Sequence, residues 1–194
     1  MQKEMFLFLG AIFTAVIGYV AARLTSSVQL QIAKDNSEKD LKLQSDRLLD
    51  ERLKAEVELE RDKLETLHKT LSRISFENSQ TMSYIQSTDT ELSEFRARYI
   101  ENCGRLHEAL AITDLYYPEM SEGVREIFGQ ANRFWGYQEG VIRIDIRENN
   151  PSWMAHMEKV LDAGAKVNRR VENLQYKIAE RGKELNKALH RTSR

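Results

Sequence analysis

Glycine and proline are both absent from residues 19 to 103, so a long stretch of chain lacks the two residues that most often punctuate secondary structure. Long helices are the default there. The only prolines, Pro118 and Pro151, mark the sharpest expected breaks elsewhere. A single cysteine, Cys103, excludes an intramolecular disulfide framework and suits a reducing compartment. Aromatic residues are few, at 8%, and the formal net charge is −1. This leaves room for one domain with a modest core, and it argues against a dedicated nucleic-acid partner, whose domain carries a basic excess. No Asn-x-Ser/Thr site, no repeat of fixed period and no Pro/Ser-rich linker occurs.

Catalytic signatures are missing as well. The chain has no Gly-rich phosphate loop, no GxSxG elbow, no CxxC pair and no HExxH, and His68, His107, His156 and His190 fall on what read as different helices. No cofactor, metal centre or small-molecule substrate is therefore expected, and the chain reads as non-enzymatic. Cys103 falls on the apolar seam of its helix and reads as a small buried hydrophobe rather than a nucleophile. Arg61 and His68 lie seven residues apart, two turns along nearly one face. That spacing is similar to the R-x6-H pair of HEPN-type helical-bundle ribonucleases, in which facing copies from two protomers build the site. Chance alone supplies about one such pair in a chain of this composition, and the segment is densely charged, so a solvated face is the preferred reading.

One long apolar run is present. From Met5 to Ala22 no side chain is charged at neutral pH, and about 18 residues at 1.5 Å rise make about 27 Å of helix, close to the thickness of a bilayer core. A cleaved signal peptide would use Val20 and Ala22 as the small residues before the cut, yet Lys3 is offset by Glu4 and no cysteine follows to accept a lipid. A retained single-pass anchor is the expectation. Lys3 stands alone before the run while Arg23, Lys34, Lys39 and Lys42 follow it, which places the N-terminus outside and the remainder in the cytoplasm at the cell membrane. Gly10, Thr14, Gly18 and Ala22 recur every four residues, a small-residue stripe through which two such helices would approach closely as a homo-oligomer.

The rest reads as all-α: a transmembrane anchor over 1–24, a charged helical stalk over 25–56, and an antiparallel up-and-down helical bundle with partial coiled-coil packing over 57–194. Acid-first pairs such as Asp35 with Lys39 and Asp50 with Lys54 support the stalk, while the seam of Val57, Leu64, Leu67, Leu71 and Ile74 becomes regular only from Val57. A second helix is expected from Thr88, with Glu91 completing a capping box and Leu92, Phe95, Tyr99, Cys103, Leu106 and Leu110 as its seam. A third follows Pro118, and a fourth runs from Ser152. That order returns the basic end, Lys177, Arg181, Lys183, Lys187, Arg191 and Arg194, toward anionic lipid, where each cation is worth about 1 kcal/mol; the alternative is a solvated helix end whose cations suit its own dipole. Trp135 and Tyr137 cannot both face inward with Phe134, so one of them is expected at a partner surface.

These features leave three functional classes: a membrane-anchored, self-associating scaffold or adaptor for an unknown cytoplasmic protein; an oligomeric membrane-perturbing or pore-forming effector of the toxin or phage-defence type; and a HEPN-like nuclease using Arg61 and His68.

Overall fold

The structure is a computed structural model that describes the backbone of residues 2–89 and 91–192 and the side chains of residues 17–87 and 91–188. The described residues form helices and their connections: α1 (Gln2–Glu77), α2 (Gln80–Asp89), α3 (Leu92–Tyr116), α4 (Pro118–Ile142) and α5 (Asn150–Thr192). The chain divides into two compact units, Met1–Leu53 and Lys54–Arg194.

The first unit is helical. From Ile17 to Leu53 every side chain is exposed except the half-buried Asp50, including Leu24, Val28, Leu41, Leu48 and Leu49. No helix among the described residues is long and apolar enough to cross a membrane. The expected span covers Met5–Ala22, and the side chains of its residues up to 16, Gly10 and Thr14 among them, lie outside the described ones. Gly18 and Ala22 are exposed, and a Cβ built on Gly18 would meet nothing within 4 Å.

In the second unit the C-terminal part of α1 packs with α2 to α5. Cross-helix pairs fix the directions. Arg98 of α3 pairs with Glu77 of α1 at 2.8 Å, and Tyr117, at the far end of α3, donates its hydroxyl to the Glu60 carbonyl at 2.8 Å, so α3 runs antiparallel to α1. Ser75 with Asn168 and Arg181 with Glu60 set α5 antiparallel to α1 as well. Arg96 with Glu139 and Arg125 with Asp114 do the same for α3 and α4. This up-and-down arrangement follows from short connections. A single residue, Tyr117, turns α3 into α4, and Pro118 opens α4, where its missing N–H goes unneeded and its φ is already helical. The apolar residues spaced at helical period in α1, α3, α4 and α5 then meet as two clusters. One contains Leu67, Leu71, Ile74, Leu106, Ile127 and Val171; the other contains Phe95, Phe134, Trp135 and Val160.

Three expectations are corrected. Four helices were expected in the soluble part and its stalk, but α1 stops at Glu77 and a short extra helix, α2, intervenes. No glycine or proline marks that stop. Asn78 turns its side-chain amide back onto the Ile74 carbonyl at 2.7 Å and Ser79 accepts from the Met82 N–H at 3.3 Å, so short polar side chains compete with the helical ladder and end it. The capping box does not form: α2 runs through Asp89, and Glu91 is itself the N-cap of α3, extended at φ −67° and ψ 144°, with no side-chain capping bond. Finally, Cys103 is only half-buried. The neighbouring position carries the inward-facing side chain, and it is the polar Asn102, fully buried.

Candidate functional site

At the end of the second unit where α2 meets the first turns of α5, Tyr84, Trp153, Met154, Ala155, Met157, Glu158 and Leu161 line a groove of about 500 Å³. Its floor is Met157, 4% exposed, and its rim is Met154, 61% exposed. A half-open apolar groove with one carboxylate suits an apolar side chain carried on a polypeptide better than a polar metabolite, for which convergent polar groups would be needed. Behind it α4 and α5 approach closely: a Cβ on Gly140 would sit 2.8 Å from the His156 ring, and His156 Nδ1 lies 2.9 Å from the Ser152 carbonyl.

Beneath α2 the interior is polar. Asn78, Ser83, Gln86, Asn102 and Gln138 are all fully buried, and Trp135 is 2% exposed. Gln138 Nε2 donates to the Ser83 carbonyl at 3.0 Å. Seven buried side-chain atoms in this region have no protein partner: Asn78 Oδ1, both polar atoms of Gln86, both of Asn102, Trp135 Nε1 and Gln138 Oε1. An unpaired buried polar group costs about 1–3 kcal/mol, and a domain's net stability is about 5–15 kcal/mol, so seven such groups do not stay unsatisfied together. Sequence reasoning missed this region because its polar residues occupy positions at apolar spacing, where a pattern reader sees only an interruption.

The sequence-singled residues are not brought together into one site. Of Trp135 and Tyr137, of which one was expected at the surface, Trp135 is core; it packs on Phe95 and Tyr99 at 4.8 and 5.5 Å between ring centroids. Tyr137 is at the surface beneath the Lys159 ammonium, 5.9 Å from its ring. Arg61 and His68 stand exposed on α1, on a stretch that also carries the Lys69–Glu65 ion pair at 2.6 Å. At the basic end Arg181 is part of the bundle's own packing: it holds Glu60 of α1 at 2.6 Å and Glu184 at 3.2 Å, which raises its pKa. Lys183 pairs with Glu180 at 2.8 Å, whereas Lys177 and Lys187 are exposed; Arg191 and Arg194 lie outside the described side chains. Among the described residues no three histidine, cysteine or carboxylate side chains are grouped to hold a metal ion.

Glu60 joins three elements, because its carbonyl accepts from Tyr117 while its carboxylate holds Arg181. Burial pushes the Tyr117 phenol up to about 12, with the Glu60 carboxylate adding to the shift and Arg181 opposing it. A folded pKa above the unfolded value of about 10 means that stability is fully present below pH 10 and is lost as pH rises toward 12, a loss of about 2–3 kcal/mol from this group. Chemical denaturation at pH 9 and pH 11.5 is expected to show that fall in the wild type and a smaller one in Tyr117→Phe. An equal fall in both would assign the alkaline loss to other groups.

Comparison with protein-family models, with curated proteins and with solved structures finds no match to this chain.

Proposed function

We propose that the chain is a membrane-anchored, self-associating helical scaffold or adaptor that presents a cytoplasmic bundle to a protein partner. The observation that carries this reading is the uncharged run Met5–Ala22 followed at once by a strongly charged helix, a combination that favours one short span with everything beyond it in water. The small-residue stripe Gly10, Thr14, Gly18 and Ala22 is the basis for association within the bilayer. The α2–α5 groove supports the adaptor half of the proposal, since its aromatic and methionine side chains are the types that anchor interfaces at low entropic cost.

Membranes from expressing cells decide the anchor and the self-association. The protein is expected to stay in the pellet after alkaline carbonate extraction, and crosslinking in native membranes is expected to capture dimers or larger species that Gly18→Leu depletes. Release by carbonate would overturn the anchor. Recovery of monomer alone would overturn self-association while leaving the anchor standing.

A further inference from the structure

We propose that a layer of bound water lies inside the bundle beneath α2, held by Asn78, Gln86, Asn102, Trp135 and Gln138. These side chains come from the end of α1 and from three other helices, and none is more than 2% exposed. The cross-helix pairs bring them to one end of the unit, over about two helical turns. Arg98 on Glu77 sets Asn102 one turn along α3 from the end of α1. Tyr99 on Asn132 and Arg96 on Glu139 lay that part of α3 against the turns of α4 that carry Trp135 and Gln138. The bond from Gln138 to the Ser83 carbonyl then carries α2, and Gln86 with it, onto the same region.

The unpaired atoms define the occupant. Gln86 Nε2, Asn102 Nδ2 and Trp135 Nε1 are donors, while Asn78 Oδ1, Gln86 Oε1, Asn102 Oδ1 and Gln138 Oε1 are acceptors, and none is bonded to another. A cation would face three donors with no carboxylate among the five residues, and an anion would face four acceptors. Water donates and accepts, so it can serve both sets. At about three hydrogen bonds per buried molecule, two or three waters would serve the seven atoms. The buried face of α2 is Met82, Ser83 and Gln86, only one of them apolar, so much of the hold on this helix passes through the hydrated layer.

The test uses the full chain in detergent micelles. In the wild type, the side-chain amides of Gln86 and Asn102 and the indole N–H of Trp135 are expected to show magnetisation transfer from water with the sign of molecules that tumble with the protein. Gln86→Leu is expected to remove that transfer at Asn102 and Trp135 and to lower the melting temperature by several degrees, even though it places an apolar group in the interior. No transfer at any of the three wild-type groups, or a melting temperature raised by Gln86→Leu, would mean a dry interior and would overturn the proposal. Should the variant not fold, the wild-type signals decide alone.

Discussion

Gly164→Ala is expected to lower the stability of the helical unit by about 3 kcal/mol or more, at the upper end of what overpacking costs. A Cβ at this position would lie 2.6 Å from the Asn78 carbonyl oxygen and 3.3 Å from the Phe134 ring. Neither neighbour yields easily. The carbonyl is backbone at the point where α1 ends, and Phe134 is fully buried in the second apolar cluster. Alanine's better helix propensity returns only about 1 kcal/mol. Gly123 is the control, since its Cβ would meet the tip of Leu174 at 2.9 Å beside a groove of about 440 Å³ into which that side chain can turn. Gly123→Ala is therefore expected to be nearly neutral, because the propensity gain offsets a rotamer change. Urea denaturation of the two variants compares them directly, and equal midpoints would refute the close α1–α5 approach.

Trp135→Ala is the second large effect, with an expected loss of about 3–5 kcal/mol, whereas Tyr137→Ala should cost under about 1 kcal/mol. The two residues are two positions apart on α4, so the helix turns them to different surroundings. Trp135 is 2% exposed among Phe95, Tyr99 and Phe134; Tyr137 is 37% exposed and touches a solvated lysine. At about 2–4 °C per kcal/mol for a chain of this size, the first substitution should lower the melting temperature by about 6–20 °C. Similar melting temperatures for the two variants would mean that Trp135 is not a core residue.

The reading of Trp135 illustrates where local pattern stops being informative. Phe134, Trp135 and Tyr137 do not fit one inward face of an isolated helix, a pattern that sends Trp135 or Tyr137 outward without saying which. In the bundle, α4 has a neighbour on more than one side. Phe134 turns toward Gly164 of α5 while Trp135 turns toward Phe95 and Tyr99 of α3, and both are buried. Asn102 and Cys103 reverse in the same way. Hydropathy favours the cysteine for the seam, yet the turn of α3 that meets α1 and α4 presents the asparagine.

The sequence by itself determined the helical class and the positions of the turns at Pro118 and near Pro151, because periodicity and helix-breaking residues act over a few neighbouring positions. The uncharged run near the N-terminus belongs to the same category, since it is a property of composition. Tertiary structure alone decided that Arg181 belongs to the bundle and that a band of carboxamides is sealed beneath α2. Each of those depends on which groups from distant parts of the chain are brought within a few ångströms, and no window of local sequence carries that distance.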